Sequence, residues 1–432
     1  MATRPFDLNT LEEKLIWFGI LLTWPVYALG GLYVLGAVLG WLIIAVVLLR
    51  LYVEGDKAYN RIPVTAWIWV VAMLVMELAL LIGHSDWSLG LGKTIKSSIG
   101  WAKGWALIAL FILLGSMLRF NTAMLSRACC IVAAQAIVFF MISIMVYAVG
   151  GPDSLFVSPL RAFGPGPEYF EFRFFGINPE TQSPRWFFFA PWAPAAGLIS
   201  CLMLVICANE SDSRWRTIGV IGCTLMVLLC QSRAGLAIFA VILPIIYFSG
   251  RLRVPWVLLL IGAGIPLLVL VGFPIIEYGL DSYQQVKDSR PGSTRVRSTL
   301  ANIAIQRWWH EAPIWGHGIV ERGPKVVEHM PIGTHHSWYG LLFTKGIVGA
   351  VALAVPMFIS GIYLLFEAQF SRKAASGFGL MLILVLYSFF ENLEILAYLC
   401  WPALLWIGWS LNPLNTFDQE RVEGMALKQA SA

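Results

Sequence analysis

Thr334-His335-His336-Ser337-Trp338-Tyr339-Gly340-Leu341-Leu342-Phe343-Thr344-Lys345-Gly346-Ile347-Val348-Gly349 is where a polar stretch beginning at Glu277 gives way to an apolar run that continues to residue 365. Two imidazoles thus stand where a loop enters a predicted membrane helix, a place where a lipid-borne and a water-borne reactant can meet. Outward from this point, apolar runs recur from residue 15 to residue 411 with no long polar linker between them. The chain of 432 residues is 58% hydrophobic and 13% charged, with a mean hydropathy of +0.74. Those values lie far outside soluble globular averages and define an integral membrane protein. The even spread of apolar runs predicts one polytopic domain over residues 1–432.

A spanning helix needs about 20 mostly apolar residues, and on that rule about twelve transmembrane helices are predicted. They fall near 15–29, 32–50, 64–83, 101–118, 125–149, 187–207, 217–231, 235–249, 254–276, 337–365, 376–391 and 394–411. Glu12 and Glu13 precede the first run, and no small-residue cleavage site follows it, so the first helix is expected to stay in place. The fold class is therefore all-α.

With the N-terminus in the cytoplasm, every short inside loop is basic: Arg50, Lys57 and Arg61; Arg119 and Arg127; Arg214 and Arg216; Arg251 and Arg253; Arg372 and Lys373. This obeys the positive-inside rule. The same alternation sends two long polar loops, 150–186 and 277–336, to the outer face, which is the periplasm in a bacterium with two membranes. Arg161, Arg173, Arg185 and Arg233 also lie on that face, as do Arg290, Arg295, Arg297, Arg307 and Arg322. They are either solvated loop charges or the lining of an anion-binding cavity. Nucleic acid is not expected as a partner on an outer face. All seven cysteines sit in apolar runs, so neither a disulfide framework nor a cysteine zinc site is expected.

All six histidines fall on the predicted outer face. An imidazole near neutral pH can accept a proton from a hydroxyl and hold the resulting charge. Thr334 or His335 is expected to open the tenth helix, where unpaired N–H groups and the helix dipole keep a histidine neutral and competent as a base. The bland alternative is a histidine that only caps or packs there. His329, His335 and His336 are close enough in sequence for a metal, but no carboxylate stands at a recognisable spacing, and no metal or cofactor is expected. Arg233 lies in a short link between two apolar helices, where an arginine is costly unless paired or functional. It either pairs with a carboxylate such as Glu391 or Glu394, or presents its planar fork to phosphate oxygens. Arg290, Arg295 and Arg297 precede Leu300–Trp309, which reads as an amphipathic outer helix. The chain contains no Asp-x-Asp pair, no phosphate-binding Gly-Lys-Ser/Thr loop and no nucleophile elbow.

From His335 onward the chain resembles the signature of the O-antigen ligase and Wzy-type polymerase superfamily: a His, a polar residue, nine residues, Gly, two residues, Gly. Here these are His335, His336, residues 337–345, Gly346 and Gly349. The second position, usually Asn, Ser or Gln, is His336; spacing favours His335 as the signature histidine, with His336 the alternative. Pro313-Ile314-Trp315-Gly316-His317-Gly318 is similar to the family's Pro-x-x-Gly-x-Gly element, and Gln231-Ser232-Arg233 to its Ser-Arg element. Arg297, or Arg295, best matches an arginine that precedes the outer-loop helix.

The resemblance implies a GT-C-like, metal-independent, inverting glycosyltransferase of the bacterial inner membrane, with a helical periplasmic loop region. Its donor would be an undecaprenyl diphosphate-linked glycan. His335 or His336 would be the base, and Arg233 with Arg297 or Arg295 would bind the diphosphate. A ligase would use a lipid A-core acceptor in lipopolysaccharide biosynthesis, and a polymerase another lipid-linked glycan; ligase is the favoured reading. A polytopic transporter is the alternative from another class. It calls for paired charges in the membrane and repeat symmetry, and Glu77 is the one such charge that the sequence suggests.

Overall fold

The computed structural model describes residues 6–55, 59–178, 182–259, 262, 291–327, 329–332 and 336–415. The predicted span 254–276 lies largely outside them. The helices are α1 (Leu11–Leu21), α2 (Thr23–Ala28), α3 (Leu32–Glu54), α4 (Val64–Asp86), α5 (Leu91–Lys103), α6 (Trp105–Met117) and α7 (Thr122–Ala148). After a loop come α8 (Ala193–Cys207), α9 (Ser213–Leu229) and α10 (Arg233–Ser249), then α11 (Pro291–Glu311), α12 (Ser337–Glu367), α13 (Arg372–Tyr387) and α14 (Leu393–Ser410). The protein is an all-α polytopic membrane protein. Among the described residues six helical stretches are long and apolar enough to cross a membrane: α3, α4, α5 with α6, α7, α12 and α14.

The other expected spans that fall among the described residues are shorter, and two of them show a local cause. The first is two pieces. Thr10 opens α1 with a reciprocal cap, its hydroxyl accepting from Glu13 N at 3.2 Å while Glu13 Oε2 accepts from Thr10 N at 3.0 Å. The helix therefore starts before the apolar run and turns at Leu22 into α2. Helix α8, 15 residues long, measures about 22 Å, less than the ~30 Å hydrocarbon thickness. All of it except Pro194 is buried, so it is a central strut wrapped by other helices. The expected 101–118 helix extends back to Leu91 but breaks at Gly104 (φ −117°, ψ −93°). Hydropathy missed α5 because Lys93, Thr94, Lys96, Ser97 and Ser98 dilute it.

Close helix approach supplies the tightest seam. Gly115 of α6 lies against Leu405 O of α14, and Gly408 of α14 against Ile112 O of α6; a Cβ at either glycine would overlap the opposing carbonyl. Small residues let membrane helices approach until backbones touch. Elsewhere α4 and α12 leave between them a groove of about 520 Å³, lined by residues such as Trp67, Val71, Val351 and Val355.

The long loops share one end of the bundle, here the loop face. The loop after α7 carries small antiparallel ribbons absent from the sequence reading: β1 (Ser154–Val157) with β2 (Glu171–Arg173), and β3 (Gly176–Ile177) with β4 (Pro184–Arg185). Strands this short carry too little alternation to be read from sequence. The Tyr27 hydroxyl ties them down, donating to Arg173 O at 3.0 Å and accepting from Arg173 N at 3.2 Å. At the opposite face Arg127 grips buried Glu210 with two hydrogen bonds, at 3.0 and 3.1 Å, and Arg50 grips Glu12.

Candidate active site

The site begins with a broken helix. Within α12, Gly346 has φ +63° and ψ −163°, and the helix resumes at Ile347. A left-handed φ is a glycine conformation. The break strips carbonyls and N–H groups of their helical partners, and Pro313–Gly318 supplies replacements. His317 N donates to Phe343 O at 2.8 Å and Gly318 N to Thr344 O at 2.9 Å. From beyond the break, Ile347 N donates to Pro313 O at 2.9 Å. A Cβ on Gly346 would overlap Ile314 O, and one on Gly316 (φ +71°) would overlap Gly346 N. The two glycine-bearing elements noted in the sequence are therefore the two halves of one main-chain joint.

Residues 347–367 of α12 measure about 30 Å, enough to cross the hydrocarbon alone. Ser337–Lys345 then stands at the loop face. This part starts at His336 rather than at Thr334 or His335, which lie outside the described residues along with Gly333. His336 Nδ1 accepts from Trp338 N at 3.2 Å and from Tyr339 N at 3.4 Å. Its ring stacks on Tyr339, centroids 4.0 Å apart, with Phe389 edge-on at 5.9 Å. Burial lowers its pKa to about 4. The imidazole is thus neutral near pH 7, and its single nitrogen lone pair is spent on the cap. In this tautomer Nε2 carries the proton, so His336 can donate a hydrogen bond but cannot take up a proton without giving up the cap. Asn, Ser and Gln, the usual residues here by the resemblance, are also side chains that can accept a hydrogen bond from backbone N–H groups.

Arg233 is the first residue of α10, whose N-cap Ser232 accepts from Gly235 N at 3.2 Å. The link before it is clasped by the β3–β4 ribbon: Gln231 Nε2 donates to Pro184 O at 3.2 Å, and Trp186 N to Leu229 O at 3.1 Å. Ser232 Oγ and Tyr387 Oη flank Gly197, each 2.8 Å from where its Cβ would be. The next residue after Tyr387, Ser388, accepts from Ser337 N at 3.0 Å. The start of α10 and the start of α12 are therefore neighbours across one turn, although a hundred residues separate them. Arg233 and Arg295 are both exposed. Arg297 lies in α11, its side chain outside the described part.

Helix α11 is longer than Leu300–Trp309, and buries Val296, Leu300 and Ala304 against Val327, Ile332 and Phe343. That four-residue spacing is one helical face. Its last turn carries a charged network that sequence reading did not assemble. Arg307 Nε donates to Glu311 Oε2 at 3.0 Å and Nη1 to Glu321 Oε2 at 2.5 Å, with the guanidinium 5.2 Å from the Phe343 ring centre. His317, 1% exposed, bridges Phe343 O at 3.0 Å through Nδ1 and Glu311 Oε2 at 2.8 Å through Nε2. Its ring lies between those of Trp87 and Phe343. Arg307, then His317, hold the Glu311 carboxyl down to about 2. A depressed carboxylate stabilises the fold above its ordinary pKa, and that stability fades as pH falls through about 2. The Arg307 and Glu311 spacing was the visible signal, being i and i+4 on a helix.

Glu394, one of the carboxylates that the sequence offered to Arg233, lies 3.8 Å from Lys345 of α12, which is 4% exposed and also acts electrostatically on Glu77 of α4. The partners are far apart in sequence, so no spacing announced them.

A helix broken at the loop face, capped by a histidine and braced by a glycine-rich loop element, thus stands beside an arginine that opens a second helix. Residues 218–354, from within α9 to within α12, match the family described as O-Antigen ligase, which supports a place in the O-antigen ligase and Wzy superfamily. That is a family of glycosyltransferase-like membrane ligases and polymerases, whose substrates are glycans and lipid-linked glycans. No curated protein matches the chain.

Proposed function

We propose that this protein is an O-antigen ligase. It moves a glycan from undecaprenyl diphosphate to a hydroxyl of lipid A-core at the periplasmic face of the inner membrane, without a metal. The observation that supports this reading is the packing of the α10 and α12 starts across one turn, with Arg233 opening one helix and His336 capping the other. The engagement of the His336 lone pair in the cap favours His335 as the base. It removes the proton from the acceptor hydroxyl as the oxygen attacks the anomeric carbon, and the lipid diphosphate leaves from the opposite side in a single inverting displacement. Arg233 and Arg297 bind the diphosphate and stabilise the charge that develops on it, with Arg295 the alternative to Arg297.

Purified protein supplied with undecaprenyl diphosphate-linked glycan and core lipopolysaccharide should yield glycan joined to the core. Growth of the lipid-linked glycan instead would make it a polymerase. His335→Ala should reduce transfer by about a thousandfold or more while leaving donor binding within about twofold, the order of magnitude of a lost general base. Transfer at the wild-type rate by that variant sinks the base assignment.

A further inference from the structure

Helix α5 buries none of its residues, whereas α6, which continues the chain beyond Gly104, buries all but Leu113. The break between them lies level with the break in α12. A Cβ on Gly104 would stand 2.9 Å from Glu394 O, and Glu394 is the residue that Lys345 reaches, one position before Gly346. From that level α6 leads to the opposite face, where Met117 O accepts from Asn60 N at 2.9 Å. In the other direction α5 runs back along α4. Trp101 Nε1 donates to Met73 O at 2.9 Å, and Thr94 Oγ1 lies 3.2 Å from His84 Nδ1 in the last turn of α4. Helix α5, about 20 Å long, therefore stands on the loop side of the two breaks, where hydrocarbon gives way to lipid headgroups.

Three faces of α5 divide the work. Thr94 and Trp101 turn to α4. Leu91, Ile95 and Ile99, spaced four apart, form one apolar stripe in which every member is more than half exposed. Lys96 and Lys103 lie about a quarter turn round from that stripe, on the flank away from α4, with Lys93 further round the same way. Lys103 Nζ donates to Phe163 O at 2.7 Å. Lys93 and Lys96 are exposed, and neither is in an ion pair or hydrogen bond among the described residues. Nothing beyond the helix itself comes within 4 Å of where a Cβ on Gly92 or Gly100 would stand, so this flank is open. The helix carries three lysines and no acidic residue. An apolar stripe beside a cationic flank at headgroup depth is the pattern of a helix that holds anionic lipid.

We propose that α5 is a docking surface for an anionic lipid of the leaflet on the loop side. The lipid phosphate sits within reach of both Lys93 and Lys96, three positions apart on one side of the helix, and its chains lie along Leu91, Ile95 and Ile99.

The test places the full-length protein in bilayers containing phosphatidylglycerol or phosphatidylcholine, each with a photoreactive diazirine in the chain next to the headgroup. After illumination and digestion, label on Leu91–Lys103 is measured relative to label on residues 351–358, a lipid-facing stretch of α12. Phosphatidylglycerol should label α5 about fivefold more than phosphatidylcholine, the pull of a single lysine at a membrane surface. Lys93→Gln with Lys96→Gln should bring the two lipids to within about twofold of each other, while Lys93→Arg with Lys96→Arg keeps the preference. Equal labelling of the wild type by both lipids, or an unchanged preference in the glutamine variant, overturns the proposal. If the glutamine pair does not accumulate, Lys96→Gln alone decides, and its preference should fall about twofold or more. Excess inorganic phosphate should leave the wild-type preference intact; its loss would make the ligand a soluble anion and overturn the docking of a lipid.

Discussion

The two parts of α12 on either side of Gly346 share one axis label and little else. Ser337–Lys345 has its N-terminus capped by His336, its first serine bonded to three residues of a neighbouring turn, and its last carbonyls bonded to the loop. Past Ile347 and Val348, whose N–H groups donate to Pro313 O and Ile314 O, the other part continues as plain helix and turns large apolar side chains outward, with Val351 49% and Phe358 70% exposed. One part is held by named polar contacts and the other by lipid and by the ridge of α4. In this molecule the glycine separates a piece that must be placed accurately from a piece that must merely be greasy and long enough.

That contrast can be broken most sharply at the joint. Gly346→Ala puts a side chain on a residue whose positive φ and extended ψ suit glycine alone, which costs about 1–3 kcal/mol, and drives a Cβ into Ile314 O. The loop element must move off the helix. Transfer should fall about a hundredfold or more, the scale of an ångström-sized misplacement. Wild-type transfer by this variant would mean that the two parts need no break between them.

A smaller effect is expected at the cap. His336→Ala should cost about 1 kcal/mol and His336→Asn only a few tenths, as the amide oxygen replaces Nδ1; melting temperatures in detergent measure this. The histidine also carries a pH signature. Its pKa is about 4 in the folded protein, below the ordinary value near 6.5, so the unfolded chain binds the extra proton first. This contribution to stability is present above about pH 6.5 and lost as pH falls through about 4. In His336→Asn that component of acid sensitivity should vanish, and an unchanged acid profile would contradict the buried, capping imidazole. The smallest effect belongs to the other side of the break. Val351→Ala removes a lipid-facing branch and should change stability by no more than about 0.5 kcal/mol and leave transfer unaltered.

What could be read from sequence followed physical range. Apolar runs and basic inside loops are local, so α3, α4, α7 and α12 were placed to within a few residues. Arg233 reads from sequence as part of a link before a helix at 235–249, whereas the Ser232 cap starts that helix at Arg233. The spacing of Gly346 was legible, but its meaning was not, since a broken helix and an intact one have the same hydropathy. Pairings across the bundle left no local trace: Lys345 with Glu394, Arg307 with Glu321, and Ser337 with the turn at 388–393 join residues that only the fold brings together. Helix α5 escaped notice because its inner face is polar.

The joint at Gly346 is made almost entirely of main-chain atoms. A hinge of that kind is indifferent to most side chains: any residues but proline will do at 314, 315, 317 and 344 so far as its hydrogen bonds are concerned, provided the glycines remain. Sequences built around such a joint can drift far apart and keep the same geometry, leaving a rhythm of glycines as their common inheritance.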